Sequence, residues 1–361
     1  MTEGRLFNFS AGPAILPESA LHEVRDNLLN YKGSGVGIME MSHRGSHFQA
    51  IIDETESLLR SLLGLSEDYA ILFTTGGATN QFSMVPLNLL SSGDTASYLI
   101  TGTWAKNAYK EAKRFFPEVS VAASSEKENF SHIPSELSLL PNSKYLHFTS
   151  NNTIFGTQFT KEPDAGNIPL VCDASSDFLH KPLDMSKYGL IYAGAQKNLG
   201  PAGVTLVIIR KDLISDKPST LPIMMNYKTY ADSQSLYNTP ATLPIYVVKE
   251  VLKWLVDQGG LKAIEVKNRR KANLLYAQID SSDFYTTPVN TPDRSLMNVV
   301  FRIRDESLEA EFISQASKRG LLGLKGHRSV GGMRASIYNA FPEEGVLALV
   351  ELMKEFEQTR G

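Results

Sequence analysis

The chain has 361 residues, of which 42% are hydrophobic, and its 36 basic and 39 acidic side chains give a formal net charge of −3. This balance gives no electrostatic reason to expect nucleic acid or an acidic membrane as a partner, and the single cysteine, Cys172, excludes an intrachain disulfide or a cysteine-based metal site. With no signal-like N-terminus and no apolar run of roughly 20 residues, we expect a cytoplasmic globular protein.

The first two thirds of the chain predict two helices and then an alternation of strands and helices. Apolar spacing predicts helices over residues 17–31 and 46–63, the second ending at Gly64. Short apolar runs then alternate with helical patterns, which is typical of an α/β domain with a mostly parallel sheet flanked by helices. The predicted strands are 69–75, 95–101, 144–150, 168–176, 189–195 and 203–210, with helices over 78–90 and 104–116.

After residue 240 the pattern changes to that of a smaller α+β unit. We therefore predict a large domain over residues 1–258 and a small C-terminal domain over 259–361, with the N-terminal segment 1–16 able to pack on the small domain. The elements predicted after residue 240 are helices over 243–257 and 260–279, a strand over 298–304, a helix over 307–319 and a strand within 331–340.

Lys197 lies between two apolar runs, in the stretch YAGAQKNLGPAG. A lysine that forms a Schiff base must be held in place and partly desolvated, so that its amine is available. The small, uncharged neighbours favour this interpretation, because glycines let a cofactor approach the backbone. The alternative is a surface lysine in a turn.

Asp173 ends the apolar run LVCD. A carboxylate in that position is costly to bury without a partner, and a pyridinium nitrogen is one such partner. The alternative is a turn or helix-capping residue after a strand. Since strand ends at one edge of a parallel sheet cluster in space, Asp173 and Lys197 could face one site.

Gly76 and Gly77 follow a predicted strand and open a helix, an arrangement that presents free N–H groups to an anion such as phosphate. The stretch lacks the Gly-Lys-Ser/Thr ending of a P-loop and the spacing of a dinucleotide fingerprint, and an ordinary turn is the alternative. Trp104 opens the next helix, where its flat side chain could stack on a cofactor ring; a core or interface tryptophan is the alternative.

Two His-Arg pairs stand in distant glycine-containing segments, His43-Arg44 and His327-Arg328, and Arg334 follows the second pair. Arginine forks match carboxylate and phosphate oxygens in bidentate fashion. The repeated pair suggests convergence on one anionic substrate, and two solvated basic turns are the alternative.

These motifs, together with NFSAGPAILP, MEMSHRGSHF, GGATNQFSMVPLNLL, NTPAT and KGHRSVGGMRASIYNA, closely resemble the phosphoserine aminotransferase family over nearly the whole chain. That family consists of class V aminotransferases with the fold of type I enzymes that depend on pyridoxal 5′-phosphate (PLP). The resemblance implies that Lys197 carries the cofactor and moves protons, that Asp173 pairs with the pyridine nitrogen and that Trp104 stacks on the ring.

Further roles are implied by the resemblance alone. It places Thr153 and Gln196 at the cofactor edge, Ala78 and Thr79 at the cofactor phosphate, and Arg334 at the substrate α-carboxylate. Asn238 and Thr239 would reach the cofactor phosphate of a neighbouring subunit, which implies a homodimer with shared sites. The pocket for a distal phosphate or γ-carboxylate would consist of His43, Arg44, His327 and Arg328.

The implied reaction is reversible amino transfer from L-glutamate to 3-phosphohydroxypyruvate, giving O-phospho-L-serine and 2-oxoglutarate in serine biosynthesis; a related step in pyridoxine biosynthesis is also compatible. The chain departs from some relatives at Thr79, where they have arginine, and at Ala11, where they have serine. An alanine– or serine–glyoxylate aminotransferase is the alternative enzyme, although its substrates lack a distal anion. A cysteine desulfurase and a catalytically inactive binding protein fit the motifs less well.

Overall fold

The structure is a computed structural model that describes residues 4–215 and 220–361. Within these residues the chain forms nine α-helices and twelve β-strands. The helices are α1 (Glu18–Asn27), α2 (Ser46–Leu63), α3 (Gly77–Leu89), α4 (Thr103–Phe115), α5 (Tyr227–Asp232), α6 (Thr242–Asp257), α7 (Gly260–Asp280), α8 (Glu309–Lys318) and α9 (Glu343–Arg360). The strands are β1 (Phe7–Asn8), β2 (Tyr69–Thr74), β3 (Ser97–Ile100), β4 (Ser120–Ser124), β5 (Leu146–Thr149), β6 (Leu170–Asp173), β7 (Tyr188–Gly194), β8 (Thr205–Arg210), β9 (Tyr285–Thr286), β10 (Asn298–Ile303), β11 (Leu321–Leu322) and β12 (Met333–Ser336).

A seven-stranded sheet forms the centre of the larger unit, with the strand order β2-β8-β7-β6-β5-β3-β4. Neighbouring strands are parallel except for β8, which runs antiparallel to both β2 and β7. A loop over residues 195–204 joins β7 to β8 and carries Lys197. The predicted α/β class with a mostly parallel sheet is confirmed.

Both faces of this sheet are covered, which explains why most of its strands were visible in the sequence as apolar runs. Strand β4, in which only Ala122 is buried, was not predicted. In β8, Leu206 and Ile208 contribute to the core that also contains residues of α2 and α6. The alternate residues Val207 and Ile209 contribute to a second core on the other face, together with residues of α3 and α4. A strand buried on both faces needs apolar side chains at consecutive positions.

The C-terminal part of the chain builds a separate core. It contains the antiparallel sheet β12-β10-β9 and buried residues of α7, α8 and α9. The N-terminal segment reaches this unit, because β1 pairs with β11 in parallel and Phe9 and Ile15 lie in the same core. The domain boundary after residue 258 stays a prediction, because α7 contributes Leu261 to the large core and Leu275 to the small one.

The predicted first helix is wrong in its last turn, since α1 ends at Asn27 and not at residue 31. Oδ1 of Asn27 accepts a hydrogen bond from the backbone N–H of Lys32 at 3.0 Å, and its Nδ2 donates to the carbonyl of Glu23 at 2.9 Å. Lys32 itself has a φ of 48°. Asparagine side chains compete for backbone groups in this way, which ends the helix early.

Three further findings concern cysteine, membranes and metals. Cys172 is a free cysteine buried in β6. In the part of the chain that the structure describes, no helix is long and apolar enough to cross a membrane. The same residues contain no group of three or more His, Cys, Asp or Glu side chains that could hold a metal ion.

Candidate active site

The carboxyl ends of the parallel strands bring several predicted site residues to one edge of the large sheet. β6 ends at Asp173, and β7 ends three residues before Lys197. β3 leads into α4, whose second residue is Trp104, and β5 leads into the loop that carries Thr153. Because ligands of parallel α/β sheets bind outside the carboxyl ends of the strands, this edge is the candidate active site.

Lys197 is half-buried, and its amine is held by a neighbouring loop. Nζ donates a hydrogen bond to Oγ1 of Thr153 at 2.7 Å and lies 5.6 Å from the centroid of the Trp104 ring. Burial lowers the pKa of Lys197 to about 8, although the attraction of Asp173 opposes this shift and the repulsion of Arg334 adds to it. An amine with this pKa is partly neutral near physiological pH, and the neutral form is the nucleophile.

Competitive acetylation of the cofactor-free protein is expected to label Lys197 with a midpoint near pH 8. Only the neutral amine reacts, so the labelling rate rises with pH. Two pH units below the midpoint, the rate is about a hundredfold lower than the limiting rate of the fully neutral amine. Arg334→Met removes a repelling positive charge and should raise the midpoint, whereas Asp173→Asn removes an attracting negative charge and should lower it. Peptide mass spectrometry measures the rates, and equal midpoints in all three proteins would contradict this arrangement.

Asp173 is 4% exposed, and the next turn of the chain fixes its carboxylate. Oδ1 accepts hydrogen bonds from the backbone N–H of Ser175 at 3.0 Å and from its hydroxyl at 2.7 Å. Burial raises the pKa of Asp173, while the charge of Lys197 and the bonds from Ser175 act in the opposite direction. A buried carboxylate with this environment gains from a further cationic partner.

The start of α3 and the indole of Trp104 complete the rim of the site. No side chain caps α3, and Gly76 precedes it with a φ of 89°. A Cβ on Gly194 would lie 2.9 Å from Oε1 of Gln196 and 3.4 Å from the backbone N of Ala78, so these two segments pack closely here. Nε1 of Trp104 is buried and makes no hydrogen bond within the described residues. Uncapped helix starts bind anions through N–H groups and the helix dipole.

Arg334, which belongs to β12, reaches the site from the smaller unit. Its Nη1 donates to the backbone carbonyl of Thr153 at 3.1 Å, so that Thr153 contacts both Arg334 and Lys197. Nε of Arg334 is buried and unpartnered among the described residues, and burial lowers the pKa of this side chain. Partial burial lowers the pKa of His327, and the nearby charges of Arg334 and then Arg328 lower this pKa further. Arg328 is exposed.

Four other predicted residues make no hydrogen bond with Lys197 in the part of the chain that the structure describes. His43 has a buried Nε2 without a partner among the described residues, and Arg44 is exposed. Asn238 and Thr239 are exposed in the loop between α5 and α6. These placements leave the four roles as predictions.

Comparison with known proteins covers nearly the whole chain. The profile of the family Aminotransferase class-V matches residues 6–349. A phosphoserine aminotransferase of Desulfatibacillum aliphaticivorans is 54% identical over 360 residues, which are 99% of this chain and 100% of that protein. The structure of phosphoserine aminotransferase from Bacillus circulans subsp. alkalophilus has a TM-score of 0.96 at 49% identity and covers 99% of both chains. PLP-bound phosphoserine aminotransferase from Trichomonas vaginalis has a TM-score of 0.92 at 40% identity, covering 97% of this chain and 100% of that one.

The chain belongs to the phosphoserine aminotransferase family of class V aminotransferases. The family resemblance predicted from the motifs is thereby confirmed. The profile match spans the larger unit, most of the smaller one and the N-terminal segment that pairs with it. Roles of individual side chains stay predictions that depend on the geometry of the site.

The two positions at which the sequence was expected to depart from some relatives have different surroundings. Thr79 is exposed and lines an open cleft of about 590 Å³ beside Gly76 and Trp104. Ala11 makes its contact through the backbone, since its carbonyl accepts a hydrogen bond from the hydroxyl of Tyr338 at 2.6 Å. That bond does not depend on the side chain at position 11.

Ser175 is a site residue that the sequence reasoning missed. Its hydroxyl donates to Oδ1 of Asp173 and also accepts a hydrogen bond from the backbone N–H of Gly194 at 3.0 Å. It therefore joins the strand end that carries the carboxylate to the strand end that leads to Lys197. The signal was present as Asp-x-Ser after a strand, a pattern in which the aspartate side chain often bonds the backbone two residues on.

Proposed function

We propose that this protein, like the relatives it matches, is a PLP-dependent phosphoserine aminotransferase. It transfers the amino group of L-glutamate to 3-phosphohydroxypyruvate and forms O-phospho-L-serine and 2-oxoglutarate. The observation that carries the proposal is the contact of Thr153 with both Lys197 and Arg334, which sets a half-buried amine beside a fork for a carboxylate. An amino-acid substrate needs both groups at one place.

The residues at this edge fit PLP by their chemistry. Asp173 offers a buried carboxylate to a pyridinium nitrogen, and its hydrogen bonds within the described residues all go to Oδ1. Trp104 offers a flat surface with an unpartnered buried N–H. The uncapped start of α3, with Ala78 and Thr79, offers N–H groups to a phosphate. When bound, PLP supplies an electron sink for the bonds at the substrate Cα.

The chain's own residues hold the substrate and move its proton. Nζ of Lys197, once it is free, accepts the proton from the substrate Cα as a general base and returns it as a general acid. Thr153 orients this amine through its hydroxyl and Arg334 through its carbonyl. Asp173 would hold the pyridine nitrogen of the bound cofactor, and its negative charge would favour the protonated ring.

Specificity for a phosphorylated substrate is assigned to the cationic side chains. Arg334 binds the α-carboxylate, because its partly buried guanidinium has an unpartnered Nε. His327 and Arg328 lie on the same segment of the chain as Arg334, and His43 and Arg44 are proposed to approach from another segment. The set would accept either the phosphate of phosphoserine or the γ-carboxylate of glutamate, since arginine matches both groups.

We further propose a cytoplasmic homodimer. Asn238 and Thr239 are exposed, and the cleft beside Thr79 and Trp104 is open, so a segment of a second copy could enter there. The unpaired, buried Cys172 fits a reducing compartment. Size-exclusion chromatography with light scattering tests the assembly.

The visible absorption band of the lysine-bound cofactor is expected to disappear with O-phospho-L-serine or L-glutamate, but not with L-serine or L-alanine. The distal anion provides the difference, and Arg328→Ala should therefore lower kcat/KM for O-phospho-L-serine by about 10- to 100-fold, as expected for a lost charge-assisted hydrogen bond. The same variant should change the slow reaction with L-alanine much less. Spectra and steady-state kinetics measure these effects.

The control is Arg319→Ala, which removes an exposed arginine paired with Glu355 at 2.5 Å at the end of α8. This variant should retain the wild-type preference. Conversion by L-alanine or L-serine alone would point to a glyoxylate-type aminotransferase. A protein that shows no band even after PLP is added would contradict the proposed cofactor.

A further inference from the structure

A buried polar cluster adjoins the segment that carries Lys197. We define the asparagine cluster as Asn198, Asn268 and Asn339, which come from the loop after β7, from α7 and from the turn after β12. Each of the three is at most 7% exposed. Buried amides are costly unless they are hydrogen-bonded, so a cluster of three indicates a specific arrangement.

The three asparagines share one target, which is the turn that follows Asp173. In this turn Leu179 has a φ of 62°, a left-handed conformation that is unfavourable for leucine and must be held by its surroundings. Three consecutive carbonyls of the turn each accept one side-chain amide. Nδ2 of Asn198 donates to Phe178 at 2.7 Å, Nδ2 of Asn339 donates to Leu179 at 3.0 Å, and Nδ2 of Asn268 donates to His180 at 3.2 Å.

The asparagines also bond to one another across the two cores. The backbone N–H of Asn339 donates to Oδ1 of Asn198 at 2.9 Å, and Nδ2 of Asn268 donates to Oδ1 of Asn339 at 2.8 Å. Phe178 and Leu179 belong to the large core, whereas the neighbours of Asn339 at positions 337 and 341 belong to the small one. Asn339 therefore has the central place in the cluster.

The segment that carries Asn339 is fixed a second time by Lys271, one helical turn after Asn268 on α7. Its buried Nζ lies within hydrogen-bond distance of four backbone carbonyls of that segment and shares its three N–H donors among them, so the segment has little freedom to move relative to α7. The acceptors are Ile337 at 3.0 Å, Tyr338 at 2.6 Å, Asn339 at 3.5 Å and Phe341 at 3.1 Å.

Each main residue of the site lies on a segment that leads into this cluster. Asp173 precedes the bonded carbonyl of Phe178 by five residues, Lys197 is adjacent to Asn198, and Arg334 precedes Asn339 by five residues. The carboxylate and the amine come from the large unit, whereas the guanidinium comes from the small one. Their relative positions depend on a link between the two units.

We propose that the asparagine cluster positions Arg334 relative to Lys197 and Asp173, with Asn339 as the positioning residue that joins the two units. The proposal rests on the function proposed above, because it takes Arg334 as the group that binds the α-carboxylate. Loss of Asn339 would let the strand that carries Arg334 move away from the amine. A displacement of about 1 Å is enough to cost an enzyme up to 100-fold in rate.

Asn339→Ala is expected to lower kcat/KM for O-phospho-L-serine by about 10- to 100-fold, mainly through KM. It should also raise the midpoint of Lys197 acetylation in the cofactor-free protein, because a more distant Arg334 repels the ammonium form less. Neither effect should appear when Asn339→Ala is added to Arg334→Met, since the group that is positioned is then absent. Steady-state kinetics and labelling by mass spectrometry measure both effects.

Asn268→Ala is the second variant, and it is used if Asn339→Ala does not fold. It removes two hydrogen bonds of the cluster and leaves the segments of Lys197 and Arg334 unaltered. Asn273→Ala is the matched control, an exposed asparagine on the same helix. A lower unfolding temperature with unchanged KM and labelling midpoint would overturn the proposal. Labelling needs no substrate, so a wild-type protein that does not convert O-phospho-L-serine would count against the proposed function alone.

Discussion

Replacing Lys197 by alanine is expected to lower kcat by about 10⁴-fold or more, while the protein still binds PLP. Acid–base catalysis by a positioned side chain contributes up to about 10⁴-fold, and Lys197 is in addition the proposed nucleophile that would hold the cofactor. Thr153, which bonds its Nζ, has no group that could take over the proton. Multiple-turnover assays with O-phospho-L-serine and 2-oxoglutarate measure the loss, and equilibrium dialysis measures PLP binding.

The matched control is Lys211→Ala, which alters an exposed lysine directly after β8. This variant should keep wild-type kcat and the visible band. Appreciable multiple turnover by Lys197→Ala would show that another group forms the bond to the cofactor. Restoration of part of the activity by a small added amine would support the assignment, since the amine supplies the missing base.

The larger unit was largely predictable because most of its strands are buried on both faces, whereas the partly buried β4 was not predicted. Strands such as β6, β7 and β8 appear in the sequence as short apolar runs, and each of them lies within two or three residues of its predicted bounds. The pairing of β1 with β11 could not be predicted in this way, because each strand has only two residues and they are about 300 positions apart. Helix α9 was not predicted, although its apolar pattern indicates a helix. Its buried residues Val346, Leu349 and Met353 recur at helical spacing.

The site was predictable where a single residue stands out against its neighbours. Lys197 among glycines and alanines and Asp173 after an apolar strand are of this kind, and both lie at the same edge of the sheet. Ser175 and Asn339 do not stand out, because serine and asparagine are common in turns for local reasons. Their importance depends on partners in distant segments, which only the folded chain brings together.

Asp173→Asn is expected to lower kcat by about 10²- to 10³-fold, the size of effect seen when one electrostatic group of an active site is removed. The substitution preserves shape. An asparagine can keep its Oδ1 on the backbone N–H and hydroxyl of Ser175, so the strand end should remain in place. What changes is the other half of the side chain, where an N–H donor replaces a negative charge.

The control for this reasoning is Ser175→Ala, which removes the hydroxyl but leaves the carboxylate charged. It should lower kcat by less than Asp173→Asn does, because the charge and the backbone hydrogen bond of residue 175 remain. If the two variants lost equal activity, the position of the carboxylate and not its charge would be the decisive property.

A cofactor analogue with carbon in place of the ring nitrogen separates these two contributions. If Asp173 acts through the ring nitrogen, the wild-type enzyme with the analogue should lose about as much activity as Asp173→Asn does with PLP, and combining both changes should add little. Fully additive losses would mean that Asp173 acts elsewhere, for example on Lys197, whose pKa it raises. The acetylation midpoint of Lys197 distinguishes these cases, because it reports the charge at position 173 without any cofactor. The carboxylate of Asp173 is buried and accepts its hydrogen bonds on Oδ1, as expected of a group that binds a cationic partner through its other oxygen.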